Sequence, residues 1–370
     1  MKIGHLIHQD GAGGGPVAVI NLLRGLREAG QEQVVFLGGK GRVVAACEQW
    51  GIQCVRVPID RKVSLLWGLI KLVRALSCNK PDVLLIQGQW GGPVGALAAW
   101  MAGIKCIYIT QWPAFYTDWT PWRAFRNAWA EWIPCRLSER VVTLTPSVNY
   151  QYLIRGWVDE ANLVTIPNVF HLGDIPSVDE AARIRRDNGW ADDAVHVVSV
   201  GRLADQKRVD WLLNAWQRVQ AKCPRARLWI VGDGPETDNL KALAGSLGLT
   251  MSCQFLEARP QGIAYLAAAD IVVMTTLYES FGYVACEAMA CGKPVIATAA
   301  DGVRDNVADG LSGYLVPPGD VDALAQRLEQ LVMNASERRT MGESGRQLVR
   351  RWDEVTTVTH YLNLIRSVCK

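Results

Sequence analysis

Short apolar runs rich in β-branched residues alternate with helix-like segments along the whole chain of 370 residues. Clear examples of such runs cover residues 82–86, 195–200 and 270–274. Continuous apolar runs of this length are typical of parallel strands, which are buried because crossover helices cover both faces of the sheet. The alternation therefore predicts an α/β chain with parallel sheets, and its length predicts two domains.

Composition excludes several classes of protein. The hydrophobic fraction of 49% is sufficient for two cores and too high for a disordered chain. No uncharged apolar run reaches the roughly 18 residues that a membrane span requires, and the first residues read directly as a strand, so we expect no signal peptide. The ten cysteines are scattered without a Cys-x-x-Cys pair, which predicts buried thiols in a reducing cytoplasm rather than a metal site.

Charge is divided unevenly between the two halves of the chain. Residues 1–170 hold 17 Lys and Arg against 11 Asp and Glu, a net charge of +6, whereas residues 171–370 carry a net charge of −3. A basic first half suggests an anionic partner. We expect that partner not to be nucleic acid, because no nucleic-acid-binding motif accompanies the charge.

The most informative stretch is the turn that follows the apolar run ending at Met274. Glu279 lies on the predicted loop, and Glu287 lies about one turn into the following helix. Such turns lie at the carboxyl ends of sheet strands, where open α/β folds bind ligands. The amides near Gly282 lie at the helix start, where they can bind an anion. Two carboxylates beside these donors could bind a polyhydroxylated, phosphorylated ligand; a capping glutamate and a solvated glutamate are the structural alternative.

Seven residues that include Ser-Phe-Gly separate the two glutamates, and Ala-Met-Ala-Cys-Gly-Lys-Pro-Val-Ile-Ala follows them. This pattern resembles the signature of retaining glycosyltransferases of family 4. The resemblance implies a GT-B fold, in which two Rossmann-like domains face each other across a cleft. It implies that Glu279 lies beside the transferred sugar and that Glu287 binds the ribose of a nucleotide-sugar donor. The remaining donor-binding residues implied here are Phe281, Gly282, Tyr283 and Val284.

Other segments fit the same family. Arg202 at the end of one predicted strand and Lys207 at the start of the next helix form a cationic clamp beside a positive helix end, and they resemble the family's diphosphate-binding arginine and lysine. Gly14 and Gly15 match the glycine pair that lets the backbone approach the donor, although a plain tight turn is the alternative. Gln111 stands where many members carry a histidine; it can bind a sugar hydroxyl but cannot titrate.

The glycine-rich residues 10–16 do not fit a nicotinamide-binding fingerprint. Gly11 and Gly13 match its first two glycines, but Pro16 occupies the third position. No acidic residue ends the second predicted strand, where such a carboxylate would bind the ribose. An oxidoreductase is therefore disfavoured.

The resemblance also implies a domain plan. We predict an N-terminal Rossmann-like acceptor domain over residues 1–168, a C-terminal Rossmann-like donor domain over residues 169–350, and a last helix over residues 351–370 that crosses back to the first domain. Pro167 and Asn168 begin the predicted linker.

The predicted function is retaining, metal-independent glycosyl transfer from a nucleotide-diphosphate sugar, with Glu279, Arg202 and Lys207 as catalytic residues and no cofactor besides that substrate. Three alternatives stay open. The chain could be another GT-B enzyme, such as a sugar-nucleotide epimerase or hydrolase, or a glycosyltransferase with a soluble small-molecule acceptor. It could also be a catalytically silent scaffold that only binds a nucleotide.

An aromatic segment bears on the acceptor. Residues 112–132 contain five tryptophans, and Trp122, Phe125, Trp129 and Trp132 recur at helical spacing. Tryptophan together with arginine suits the headgroup layer of a membrane. We therefore expect peripheral binding to an anionic cytoplasmic leaflet and a lipid-linked saccharide acceptor in polysaccharide or glycolipid assembly. The alternative is that these aromatics line an acceptor cleft or the core.

Overall fold

The computed structural model describes residues 1–8, 14–59, 65–88, 91–111, 121–257 and 262–370. Two of the sequence predictions, the fingerprint test at Gly11 and Gly13 and the first part of the aromatic segment at residues 112–120, lie outside the described residues. The chain divides into two compact units. The first comprises Met1–Phe170 and Trp352–Lys370, and the second comprises His171–Arg351.

The first unit alternates strands and helices, as predicted. Its elements are β1 (Lys2–Ile7), α1 (Gly14–Glu28), β2 (Glu32–Leu37), α2 (Arg42–Trp50), β3 (Gln53–Arg56), α3 (Leu65–Asn79), β4 (Val83–Gln87), α4 (Gly92–Met101), β5 (Cys106–Ile109), α5 (Pro121–Leu137), β6 (Arg140–Thr143), α6 (Pro146–Ile154) and β7 (Leu163–Thr165). The strands form a seven-stranded sheet in the order β3-β2-β1-β4-β5-β6-β7, and every neighbouring pair is parallel.

The second unit repeats this architecture. Its elements are α7 (Val178–Asp187), β8 (His196–Val200), α8 (Val209–Lys222), β9 (Arg227–Val231), α9 (Thr237–Ser246), β10 (Cys253–Leu256), α10 (Gly262–Ala268), β11 (Ile271–Met274), α11 (Tyr283–Ala290), β12 (Val295–Thr298), α12 (Val303–Asn306), β13 (Gly313–Val316), α13 (Val321–Met333) and α14 (Ala335–Leu348). The six strands are parallel, in the order β10-β9-β8-β11-β12-β13.

Helical periodicity explains how the helices cover these sheets. In α8, Leu212, Trp216 and Val219 recur at intervals of three and four residues and are fully buried. They join the core that contains Ile230 and Val273 from the sheet. Burying one apolar face of a helix against a sheet supplies most of the stability of such a layer.

The last helix, α15 (Glu354–Cys369), belongs to the first unit. It packs against α1, where a Cβ on Gly25 would come within 2.4 Å of Val358. Lys105 donates a hydrogen bond of 2.7 Å to the carbonyl of Val368 near the end of the helix. The chain therefore passes from the first unit to the second and back again.

Three local predictions were wrong. From the sequence, we expect residues 298–301 and 303–308 to be strands that help to complete the second sheet, but the strand is Val295–Thr298 and the later run begins with the short helix α12. Gly302, with φ of 74°, turns the chain between them. Lys207 does not start a helix: it ends a short 3-10 turn, and α8 begins only after Arg208, whose φ of 44° breaks the helical path.

Candidate functional site

The predicted site residues of the second unit lie at the point where the strand order of its sheet reverses. The strand β8 has β9 on one side and β11 on the other, so the chain winds outward in both directions from β8. In open parallel sheets, ligands bind at such a switch point, beyond the carboxyl ends of the strands. The loop with Arg202 and Lys207 follows β8, and the loop with Glu279 follows β11.

Lys207 and Glu279 form a salt bridge between these two loops. The Lys207 side chain is 25% exposed and the Glu279 side chain 15%, so both side chains are largely withdrawn from water. The backbones of the loops are also bonded to each other. Leu277 N–H donates to the carbonyl of Gln206 at 2.9 Å, and the hydroxyl of Thr275 donates to the carbonyl of Lys207 at 2.9 Å. The structure thus joins two residues that the sequence could only predict separately.

Two residues that were not predicted from the sequence, Gly302 and Asn306, pack against the loop that carries Glu279. A Cβ on Gly302 would come within 2.7 Å of the carbonyl oxygen of Glu279. Asn306 is buried and donates a hydrogen bond of 2.6 Å to the carbonyl of Phe281. Neither residue stands at a recognisable spacing from the glutamates, because α12 reaches the loop only through the tertiary fold. The glycine at position 302, between two segments expected to be strands, was the one available signal.

Gly282 makes the turn from this loop into α11. Its φ of 79° is in the left-handed region, which only glycine enters without strain. Its position directly before Tyr283 and Val284 places the start of α11 beside the loop. The N-terminus of a helix carries partial positive charge, so this end suits an anionic group.

Arg202 lies on the loop after β8 and is exposed. No salt bridge or side-chain hydrogen bond involves its guanidinium within the described part of the chain. Its loop packs against the turn after β9, where Leu203 N–H donates to the carbonyl of Asp233 at 2.9 Å. Gly232 and Gly234 permit that approach, since a Cβ on either would come within about 2.1 Å of a carbonyl oxygen of the loop. The cation therefore projects from a fixed backbone.

Glu287 is half-buried on α11. Burial raises the pKa of this carboxyl from 4.5 to about 7. Among the described residues, no hydrogen bond or salt bridge reaches the carboxylate. An isolated, partly desolvated carboxylate is costly unless it has a partner, and a pair of hydroxyls from a ligand would supply one.

The predicted site residues of the first unit lie beyond the carboxyl ends of its strands. Gly14 and Gly15 form the exposed start of α1, after β1, and a Cβ on Gly15 would meet nothing within 4 Å. The helix α1 thus begins at Gly14, inside the segment that the sequence predicted to be a turn. Gln111 follows β5, and its amide donates to Asn168 at 3.2 Å. The glutamine is therefore held in place by the last residue of the predicted acceptor domain.

Acidic and thiol side chains do not form a metal-binding cluster in the described ranges. An Asp-x-Asp pair does occur at Asp320 and Asp322. Asp320 caps α13 by accepting a 2.9 Å hydrogen bond from Ala323 N–H, and Asp322 forms a salt bridge with Arg218. Both carboxylates therefore have structural partners.

An exposed aromatic surface covers part of the first unit. On α5, Phe125, Trp129 and Trp132 are 56%, 48% and 38% exposed, with ring centroids 6.1 and 5.3 Å apart along the series. On α3, Trp67 and Ile70 are half exposed. The helix α4 packs against both α3 and α5. These aromatics are not core residues, which removes one of the two alternatives for the segment.

Two family models each match one part of the chain. Residues 13–169 match a family model described as a glycosyl transferase 4-like domain. Residues 180–348 match the model for glycosyl transferases group 1. The candidate residues Arg202, Lys207, Glu279 and Glu287 all lie in the second of these matched regions.

Two relatives and one solved structure match more than nine-tenths of the chain. The lipopolysaccharide core biosynthesis glycosyltransferase LpsE of Rhizobium meliloti is 28% identical over 373 residues, which cover 99% of both chains. Sulfoquinovosyl transferase SQD2 of Arabidopsis thaliana is 28% identical over 93% of this chain and 68% of its own. The crystal structure of Anabaena HepE in complex with UDP and glucose has a TM-score of 0.87 at 25% identity, covering 99% of this chain and 100% of that one.

Proposed function

Because this chain belongs to the GT-B glycosyltransferases, we propose that it is a retaining, metal-independent enzyme that transfers a sugar from a nucleoside-diphosphate sugar to a lipid-linked saccharide. The GT-B fold predicted from the sequence is confirmed by the parallel sheets and by the structural neighbours. A catalytically silent scaffold is disfavoured because the charged groups that the reaction needs are all present.

The observation that carries the proposal is the Lys207–Glu279 salt bridge at the switch point of the second sheet. Lys207 has three N–H donors, so it can hold Glu279 and still donate to a phosphate. Arg202 supplies a second, exposed cation on the same loop. Together with the start of α11, these groups can bind a diphosphate. The complexes of HepE with UDP and with UDP-glucose support a donor of this class.

Glu287 would accept hydrogen bonds from the two ribose hydroxyls of that donor. Its carboxylate has no partner among the described residues, and its position on α11 follows the helix start that would meet the diphosphate. Glu279, held by Lys207, would orient the sugar. Gly14, Gly15 and Gln111 would contribute donor contacts from the first unit.

The chemistry follows from the charge distribution. The bond between the sugar C1 and the diphosphate oxygen breaks, and the positive charges of Arg202 and Lys207 stabilise the departing diphosphate. The acceptor oxygen bonds to C1 on the same face, and its proton passes to the departing phosphate oxygen. The protein therefore needs no titrating base, which agrees with glutamine at position 111. No metal is called for, because the two cations and the helix start supply the positive charge.

The aromatic surface of the first unit supports a lipid-linked acceptor. Exposed Trp67, Trp129 and Trp132, together with a basic first half, suit an anionic membrane surface. No helix in the described ranges is long and apolar enough to cross a membrane. Similarity to LpsE, whose name places it in lipopolysaccharide core synthesis, supports an acceptor in polysaccharide or glycolipid assembly.

Product analysis tests the proposal. The protein is incubated with UDP- and GDP-sugars and a lipid-linked saccharide, and proton NMR follows the anomeric signal of the new glycoside. We expect one nucleoside diphosphate released per glycoside formed, with the anomeric configuration of the donor kept. Inversion would contradict retention, and release of the diphosphate without acceptor would indicate a hydrolase.

A further inference from the structure

A cavity of about 580 Å³ lies in the second unit, away from the proposed donor site. The donor site follows β11 and precedes α11, whereas the cavity is lined by Cys291, which follows α11, and by Arg185, which binds Asp270 directly before β11. The two sites therefore lie at opposite edges of one sheet. A volume of this size is typical of small-molecule sites.

Four cationic side chains line the cavity: Arg185, Lys293, Arg346 and Arg350. Arg185 is paired with Asp270 at 2.8 Å, and Arg346 is paired with Glu343 at 3.3 Å. Lys293 and Arg350 have no salt bridge with any described residue. Two of the four cations are thus paired with carboxylates outside the wall, which leaves an excess of two positive charges on the wall itself.

Of these residues, Lys293 gives the clearest indication of an anionic ligand. It is half-buried, and desolvation lowers the pKa of its ammonium, although the nearby Asp270 partly offsets this effect. The neighbouring cations Arg185 and Arg346 lower the pKa further. An unpaired ammonium held in this way is destabilising, so an anionic ligand that neutralised it would be bound favourably.

The backbone around Lys293 is shaped to hold Arg346 beside it. Gly292 has φ of 70°, and a Cβ there would come within 2.3 Å of the Arg346 guanidinium. That guanidinium also donates to the carbonyl of Cys291 at 3.3 Å. A Cβ on Gly342 would come within 2.1 Å of the carbonyl oxygen of Gly292. Two glycines therefore let α14 bring Arg346 against the turn that carries Lys293.

Apart from Ser177, whose hydroxyl donates a hydrogen bond to Glu180 at 3.2 Å, the rest of the wall is mostly apolar. Leu172, Ile175 and Pro176 contribute from the segment before α7, Ala182 from α7 itself, and Ala290 from the end of α11. A ligand that fits must therefore combine an anionic head with an apolar body. A phosphate monoester carries close to two negative charges at neutral pH, which matches the excess of two positive charges better than a monoanionic carboxylate does.

We propose that this cavity is a second ligand site, which binds a phosphate monoester attached to a short apolar body. Lys293, Arg346 and Arg350 bind the phosphate, and the apolar wall formed by Leu172, Ile175 and Ala182 covers the body. The site is separate from the donor site and does not depend on the proposed reaction.

Calorimetry with n-octyl phosphate below its micellar concentration tests the proposal, with inorganic phosphate and octyl glucoside as the probes for head and body alone. We expect octyl phosphate to bind at least tenfold more tightly than either probe. Saturating UDP should not displace it. Lys293→Met, which keeps the volume of the side chain, should lower the affinity for octyl phosphate about tenfold. Lys241→Met, which removes an exposed lysine of the same unit, is the charge-matched control and should have no effect.

Ala182→Leu tests the apolar part of the site independently of the cationic part, because the larger side chain fills space beside the apolar wall. It should lower the affinity for octyl phosphate severalfold and leave the affinity for inorganic phosphate unchanged. Three results would each overturn the proposal. They are equal affinity of Lys293→Met and Lys241→Met for octyl phosphate, displacement of octyl phosphate by UDP, and equal affinity of the native protein for octyl phosphate and octyl glucoside.

Discussion

Lys207 and Glu279 form a salt bridge with each other. Such a pair has a structural and a chemical consequence. Each charge stabilises the other in a place where both are mostly shielded from water, so neither can be removed without leaving an uncompensated charge. The ammonium also keeps two N–H donors for a phosphate. Arg202 differs, because it has no such structural partner among the described residues.

This difference gives the first prediction. Arg202→Ala and Lys207→Ala should each lower turnover by roughly two to four powers of ten, since each removes a charge that meets the departing diphosphate. Only Lys207→Ala should also lower the free energy of unfolding, by roughly 1–2 kcal/mol, because it leaves Glu279 unpaired. Steady-state kinetics and urea denaturation measure the two effects. Near-native turnover in both variants would sink the assignment of a diphosphate clamp.

Glu287 gives a prediction about pH. The folded protein holds the Glu287 proton up to about pH 7, whereas the unfolded chain releases it near 4.5. Between these values the unfolded state binds fewer protons, so this residue makes stability fall as pH rises. Glu287→Gln should therefore raise the free energy of unfolding by up to ~3 kcal/mol at pH 8 and change it little at pH 4.

The same substitution should weaken binding of the nucleoside diphosphate at pH 8 by at least tenfold, because an amide replaces the carboxylate that would bind the ribose. Thermal unfolding at the two pH values and titration calorimetry provide the measurements. Glu160→Gln, at an exposed glutamate of the first unit, is the control and should alter neither quantity. A Glu287→Gln variant that is less stable at pH 8 than at pH 4, relative to the native protein, would contradict the raised pKa.

The four charged residues could be predicted from the sequence because each belongs to a local pattern. Arg202 and Lys207 stand in one loop, and Glu279 and Glu287 span one strand-to-helix turn. What could not be predicted is the salt bridge, since it joins positions 72 residues apart. Asn306 was missed for a similar reason: its contact with Phe281 is made across 25 residues.

Among the elements, strands at the centre of each sheet were predictable and the later part of the second sheet was not. β11 reads as a strand because Ile271, Val272 and Val273 are apolar, β-branched and buried on both faces. The run beginning at Val303, which was also expected to be a strand, folds as α12, because the polar residues Arg304, Asp305 and Asn306 interrupt its apolar positions. Gly302 and the packing of α12 against the Glu279 loop fix this short helix.

The helices α3 and α5 give a prediction about membranes. Liposomes with anionic lipid should sediment the protein at low salt, and added salt should weaken binding, because surface electrostatics are screened. Trp129→Ser with Trp132→Ser should reduce the bound fraction severalfold through loss of exposed aromatic area. Arg123→Glu with Arg126→Glu should reduce it through repulsion.

The matched control is Met251→Ser, which removes an apolar residue that is 86% exposed in the second unit. It should leave sedimentation unchanged. Equal binding of the native protein to anionic and neutral liposomes at low salt would rule out the anionic surface. Indifference to both kinds of liposome would indicate an acceptor that is a soluble small molecule.

At the scale of the whole molecule, two units carry the same parallel architecture but different charge. Each sheet reverses its strand order, at β1 in the first unit and at β8 in the second. The second unit holds the charged residues of the proposed donor site, whereas the first holds the net positive charge and the exposed aromatic surface. The division into two such units was predictable from length and alternation, because each sheet needs its own core.

Titration calorimetry with UDP, GDP and ADP at pH 8 tests whether the switch point of the second sheet binds a nucleoside diphosphate. We predict that at least one of the three nucleotides binds the native protein, and that Arg202→Ala and Glu287→Gln each lower the affinity for that nucleotide by at least tenfold. Lys241→Met should bind it as the native protein does. Failure of all three nucleotides to bind, or unchanged affinity in both site variants, would contradict the claim.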